Sequence, residues 1–248
     1  MWNYPPKQLT LSDRDIHVWR ADLNLPPEEI ETLATTLSAD ESDRANRFHF
    51  EKDRKHFIAA RGILRSLLGT YLNLPPSQLE FAYGDRGKPS LSVDIPASLS
   101  FNLSHSNGLA LYAVTSTSSI GIDVEYLRPM SDALQLAKRF FAPREYEVIN
   151  CLSPPEQQQA FFKAWTAKEA YLKATGVGLS GGLEKVEVSL DSREALKLLS
   201  IDGDGGRAGS WSLYSVRLDP DYLAALAVEN NSWNLSYWDV SAQILQFS

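Results

Sequence analysis

Two acids one residue apart, Asp123 and Glu125 in the stretch GIDVEYLRP from Gly121 to Pro129, are a first pair whose types and spacing can do chemistry. Side chains on a strand alternate between faces, so both carboxylates point one way while Ile122 and Val124 pack the other. Like charges held that close raise each other's pKa unless a cation sits between them. Oxygen ligands completed by water are what Mg²⁺ prefers. For an isolated D-x-E, an edge strand with an exposed polar face is the plain alternative. A third oxygen comes from FFKAWTAKEAYLKATG, Phe161 to Gly176. On a helix Trp165, Glu169, Leu172 and Lys173 lie along one side, and Lys168 projects towards a neighbouring flank. An exposed Glu–Lys pair four residues apart is worth only about 0.2–0.5 kcal/mol, so pairing alone does not explain charges among aromatics. Set against the strand, Glu169 completes a metal site and Lys173 binds a phosphate bridging that metal.

Two further stretches carry donors for anions. YGDRGKPSL, Tyr83 to Leu91, reads as a tight turn at Gly84, Gly87 and Pro89 presenting Arg86 and Lys88, and FNLSHSNG, Phe101 to Gly108, places Ser104, His105 and Ser106 after a short strand. Cationic and hydroxyl donors suit phosphate oxygens. A serine hydrolase competes poorly: Ser104 and His105 are adjacent and face opposite ways on a strand, and no GxSxG elbow occurs. His17, His49 and His56 show no ligand spacing that would make His105 part of a metal centre.

The elements that must position these residues are mixed. Short apolar runs predict strands at Ile16 to Arg20, Ser100 to Leu103, Leu109 to Val114, Ile120 to Glu125, Val186 to Leu190, Trp211 to Arg217 and Leu223 to Val228. Helical periodicity covers Pro27 to Leu37, Asp53 to Tyr71, Ser131 to Phe140, Arg144 to Asn150 and Glu156 to Thr175. The order is that of an α+β protein, not a regular strand–helix alternation. At an offset of 104, Leu68 and Leu79-Glu80 fall on Leu172 and Leu183-Glu184, and TSTSS at 115–119 marks a break, dividing the chain into 1–117 and 118–248. IDGDGGRAGS, from Ile201 to Ser210, reads as a flexible hairpin loop.

With 44% hydrophobic and 22% charged residues the chain can bury a sizeable core. Its net charge of -7 argues against a general nucleic-acid binder. Between Arg44 and Arg65, however, seven Lys/Arg face two acids, which suggests a site for a phosphorylated molecule or an acidic partner, against the plain reading of a solvated helix face. The start, MWNYPPKQLT, has no leader pattern, and apolar stretches such as Tyr222 to Val228 fall short of the roughly 18–20 residues of a membrane span. The single cysteine, Cys151, reads as a partly buried small residue in a reducing cytoplasm.

GKP, then N-x-S-H-S, then G-I-D-V-E, then W-x-x-K-E-A-x-x-K, in this order between Arg86 and Lys173, resemble the 4'-phosphopantetheinyl transferases of the large, monomeric, surfactin-synthetase-activating type. The resemblance extends loosely from the Arg44 region to the Val228 strand. It implies a pseudo-dimer of two similar α+β halves with coenzyme A in the cleft between them. The activity it implies is Mg²⁺-dependent transfer of phosphopantetheine to a serine of apo acyl or peptidyl carrier proteins of fatty acid, polyketide or nonribosomal peptide synthesis. Carried over by position, Asp123, Glu125 and Glu169 match the Mg²⁺ carboxylates and Lys173 the lysine on the pyrophosphate. Lys88, Ser104 and His105 match residues on the 3'-phosphate and adjoining phosphates, and Arg86, Gly87, Pro89 and Asn102 fall in the nucleotide-binding segments. Arg44 matches a basic region of the family, while Glu41 stands where some members carry lysine. The base expected from the resemblance is Glu169, directly or through a metal-bound water, and the expected docking surface for the carrier is Arg44 to Arg65 with Tyr126 to Arg144. The competing functions are a nucleotide or coenzyme A pyrophosphohydrolase using the same carboxylates, and a non-catalytic protein that only docks acidic carriers.

Overall fold

The computed structural model describes residues 2–6, 8–93, 99–116, 118–178, 182–191, 194–230 and 232–240. Its elements run β1 (Asp15–Asp22), α1 (Pro27–Ala34), α2 (Ala39–Asn46), α3 (Glu51–Leu72), β2 (Phe81–Tyr83), β3 (Pro89–Leu91), β4 (Ser100–Ser106) and β5 (Leu109–Thr115). After residues 116–119 follow β6 (Ile120–Tyr126), α4 (Ala133–Phe140), α5 (Pro143–Asn150), α6 (Pro154–Thr175), β7 (Val186–Val188), β8 (Leu198–Ile201), α7 (Gly205–Ala208), β9 (Trp211–Ser215), β10 (Tyr222–Glu229) and β11 (Asn234–Asp239).

The mixed α+β reading holds, and the strands sort into two principal sheets. One has the order β11-β1-β5-β4 and the other β6-β10-β9, so each contains a first, third and second strand in antiparallel succession. β11 crosses back to lie parallel to β1. Alternation along the strands produces a shared apolar layer in which Ile16, Val18, Leu111 and Ala113 meet Ile122, Val124, Leu226 and Val228. α3 covers the opposite face of the first sheet, against Trp19, Tyr112 and Phe101. α6 covers that of the second, against Ala225 and Ala227. Because α6 is packed along most of its length, its buried residues run almost continuously from Phe161 to Ala174 rather than as one stripe.

The approach of α6 to β6 is close enough to need a glycine. A Cβ on Gly121 would lie 2.1 Å from Ala170 O and 2.4 Å from Ala174 N. Gly121→Ala must therefore push helix and strand apart, at about 1–3 kcal/mol or more. The expected result is a lower melting temperature for this variant, measured by differential scanning calorimetry; an unchanged value would show that the contact can relax freely.

The spacing of 104 recurs in the bonding. Near the start of α2, Ser38 N–H donates to Glu41 Oε2 (3.1 Å), Arg65 Nε donates to the same oxygen (2.6 Å), and Arg65 Nη1 donates to Leu79 O (2.8 Å). Near the start of α5, Ala142 N–H donates to Glu145 Oε2 (2.9 Å), Lys168 Nζ to that oxygen (2.5 Å), and also to Leu183 O (2.9 Å). Residues 38 and 142, 41 and 145, and 79 and 183 are the same distance apart in the chain.

Three expectations are corrected. Segment 201–210 is no hairpin loop: Asp204 caps the short helix α7 by accepting from Gly206 and Arg207 N–H, and β8 pairs with β7 instead of β9. Cys151 is exposed, at the C-terminal cap of α5. Arg61 and Arg65 are buried, at 7% and 1% exposure, and leave the basic face to Arg44, Arg47, Lys52, Arg54 and Lys55.

Candidate active site

The two sheets meet at β4 and β6, and side chains replace a backbone ladder there. Asn102 Oδ1, Ser104 Oγ and Ser106 Oγ accept from the backbone N–H groups of Ile122 (2.9 Å), Val124 (3.3 Å) and Tyr126 (3.1 Å). The two-residue period of both strands keeps these bonds in step. The same hydroxyls reach the acids between those N–H groups, Ser104 donating to Asp123 Oδ1 (3.0 Å) and Ser106 to Glu125 Oε2 (3.1 Å). In sequence Ser106 has only the general role of a hydroxyl donor for phosphate oxygens, and none towards β6. Its place two residues beyond Ser104, matching Glu125 two beyond Asp123, is the signal that would have supplied one.

Asp123 is buried, and its Oδ1 also accepts from Lys173 Nζ (2.6 Å), which donates to Ser104 Oγ as well (2.9 Å). Burial pushes the Asp123 carboxyl above the usual carboxylate range even against the pull of Lys173 and Ser104. Glu125, half-buried, is raised by burial and then by the charge of Asp123. Glu169 is pushed up to about 7, first by burial, then by Asp123, with Lys173 pulling it back. Asp123 Oδ2 and Glu169 Oε1 are buried polar atoms with no hydrogen-bond partner. The three acids thus share one electrostatic site, centred on a lysine. Among the described residues, no three acidic, histidine or cysteine side chains are gathered closely enough to hold a metal ion.

Beside Lys173 opens a cavity of about 180 Å³ lined by Arg86, Gly87, Lys88, Asn102, Leu103 and Lys173, with Leu172, Gly176 and Gly178 closing the α6 side. The hairpin of β2 and β3 delivers the first three. Gly87 N–H donates to Gly84 O (2.8 Å), and Gly87 sits at φ +78°, where a glycine is favoured. Pro89 pairs with Tyr83 where the strands enter the turn. Lys88 Nζ donates to Ala174 O (2.8 Å) and Ile120 O (3.2 Å), at the carboxyl end of α6 and the start of β6, and burial lowers its pKa to about 8. His105 points away from Ser104 and is exposed, although the protein around its ring, then Lys173, holds its pKa below the ordinary histidine value.

Arg44 is not at the cavity. It is exposed on α2, its Cζ 5.3 Å from the Phe57 ring. Glu41 is 1% exposed and pairs with Arg61 and Arg65. Lys168, the unexplained cation of α6, is fully buried against Glu145.

The model described as the 4'-phosphopantetheinyl transferase superfamily matches residues 119–227, and that of the 4'-phosphopantetheinyl transferase N-terminal region matches 24–117. Among curated proteins, the chain is similar to the 4'-phosphopantetheinyl transferase HetI of Nostoc sp., 48% identical over 96% of this chain and 97% of that one. It is 37% identical to a putative 4'-phosphopantetheinyl transferase of Synechocystis sp., over 82% and 79% of the two chains. With the 4'-phosphopantetheinyl transferase Sfp of Bacillus subtilis it shares 32% identity over 68% and 73%.

Proposed function

The chain belongs to the 4'-phosphopantetheinyl transferase superfamily, and from that premise we propose how its own residues carry the reaction. It is an enzyme that transfers the 4'-phosphopantetheine group of coenzyme A to a serine of apo carrier proteins. The serine Oγ forms a bond to the phosphorus bearing pantetheine, the pyrophosphate P–O bond breaks, adenosine 3',5'-bisphosphate leaves, and the serine proton passes to a base.

In our reading residues 1–117 and 118–248 are two related halves, and coenzyme A lies in the cleft between them. The repeated strand order, the repeated capping glutamate with its buried cation, and a cavity lined from both halves support this. That cavity, bringing Lys88 and Asn102 against Lys173, is the observation that carries the proposal. Arg86 and Lys88 take the nucleotide phosphates, with His105 and Ser104 beside them and Gly87, Pro89 and Asn102 shaping the wall. Lys173 holds the pyrophosphate, turning to it from Asp123. Glu169, raised to about 7, is poised to accept the serine proton near neutral pH.

In donor type Asp123, Glu125 and Glu169 suit Mg²⁺, being hard oxygen donors of which two buried oxygens have no partner, and they would have to draw closer together to hold it. When bound, the ion supplies positive charge against the pyrophosphate oxygens. The carrier docks on the exposed Arg44, Arg47 and Lys52 and the half-buried Arg54 and Lys55, together with segment 126–144, complementing an acidic partner. We assign the protein to the cytoplasm as a monomer; no helix among the described residues is long and apolar enough to cross a membrane.

Intact-mass measurement of a panel of apo carriers with coenzyme A and Mg²⁺ tests this. One added phosphopantetheine group, dependent on the carrier's serine, is the expected result. Coenzyme A cleavage that proceeds without any carrier would overturn it.

A further inference from the structure

Glu41, Arg61 and Arg65 form a buried charged cluster away from the cavity. Arg61 Nε and Arg65 Nε donate to Glu41 Oε1 and Oε2, at 2.7 and 2.6 Å. Two guanidiniums share one carboxylate, and their remaining donors and faces turn to the hairpin of β2 and β3. Arg61 Nη2 donates to Tyr83 Oη (2.8 Å), and Arg61 Cζ lies 4.8 Å from the Phe81 ring centroid. Arg65 Cζ is 5.0 Å from the same ring, and Arg65 Nη1 holds the carbonyls of Pro76 (2.9 Å) and Leu79 (2.8 Å), which lead into β2.

Among the described residues β2 and β3 pair only with each other. A two-stranded hairpin is marginal alone, so its placement depends on what it rests upon. The tip, Arg86 to Lys88, reaches the cavity, while the base rests on the two arginines and on Phe101, 5.7 Å from Phe81. A small displacement of the base therefore moves the tip against its ligand.

We propose that Glu41, Arg61 and Arg65 are positioning residues for coenzyme A: they fix the base of the hairpin so that its tip meets the nucleotide phosphates. The proposal rests on the assignment of Arg86 and Lys88 to those phosphates. Glu41 neutralises the two cations that grip the hairpin.

Two mild variants of the full chain test it. Tyr83→Phe removes one hydroxyl from a residue 43% exposed, and Arg61→Lys keeps the charge beside Glu41 but loses the planar fork and its stacking. Tyr83→Phe raises KM for coenzyme A about fivefold and Arg61→Lys about tenfold, with matching losses in coenzyme A affinity by calorimetric titration. For both, kcat and the carrier KM stay within about twofold, the pattern of lost uniform binding. In an Arg86→Ala/Lys88→Ala background the effect of Tyr83→Phe disappears, since no tip remains to be positioned. Unchanged coenzyme A affinity in both single variants, whatever their melting temperatures, would overturn the proposal, as would an undiminished Tyr83→Phe effect in the tipless background. Failure of the underlying assignment is read separately, as an unchanged coenzyme A KM in Arg86→Ala/Lys88→Ala alone.

Discussion

Glutamine in place of Glu169 slows transfer by about 10³-fold or more, because the variant keeps the shape of the site but loses the base and one of the three anionic metal donors we propose. The same substitution makes the protein more stable above neutral pH in the absence of divalent ions. Glu169 is 8% exposed, and burial and Asp123 lift its pKa from 4.5 to about 7. A folded-state value above the unfolded one means that stability is fully present below 4.5 and is lost as pH rises towards 7, where the loss levels off. At about 1.4 kcal/mol per pKa unit the plateau is roughly 3 kcal/mol, or several degrees in melting temperature for a chain of this size. Glutamine does not titrate, so the variant and the wild type should melt together near pH 4.5 and separate by pH 8 in EDTA. Transfer within tenfold of wild type would remove Glu169 from the chemistry. A melting difference independent of pH would show that the carboxyl is not held protonated by its surroundings.

What could be read in the sequence was whatever repeats locally. The two-residue alternation of GIDVEY placed Asp123 and Glu125 on one face, and helical spacing put Glu169 and Lys173 on one side of α6, where Lys173 meets Asp123. Contacts between distant residues had no such mark. β11 pairs with β1, Asn234 beside Asp15, and nothing in NLSYWD announces a parallel partner at the other end of the chain. α2, ADESDRAN, buries only Glu41 and Ala45, so it lacks the apolar stripe that identifies a helix. Counting charges along the chain placed Arg61 and Arg65 on a docking face. Their phase was legible all the same: Phe57, Arg61 and Arg65 are four apart, on the side that α3 buries. The side-chain ladder between β4 and β6 was half visible, since Asn102, Ser104 and Ser106 alternate as the backbone groups of β6 do. Only the fold says that the two strands are neighbours.

The second large effect is on stability and concerns Lys168, the lysine next to Glu169. Lys168→Met should lower stability by about 3–5 kcal/mol, a fall of about 10 °C in melting temperature for a chain this long. Lys168 is fully buried, donating to Glu145 Oε2 (2.5 Å), to Leu183 O (2.9 Å) and to Val186 O. Burial depresses its pKa and raises that of Glu145, each opposed by the other's charge, so the pair survives because neither charge is left alone. Methionine fills the space but abandons the carboxylate and two carbonyls. Adding Glu145→Leu removes the stranded charge and should recover part of the loss, not all of it. Val188 N–H and Ala142 N–H, which donate to Glu145 at 2.8 and 2.9 Å, would then lack an acceptor. A Lys168→Met protein that melts within about 2 °C of wild type would mean that the pair contributes nothing net, as replaced buried pairs sometimes show. The consequence for catalysis follows from helical phase. Successive residues on a helix are about 100° apart, so anchoring Lys168 in the Glu145 pocket turns Glu169 towards Asp123. A charged residue in the buried face of α6 thus orients Glu169, the base we propose, which it precedes.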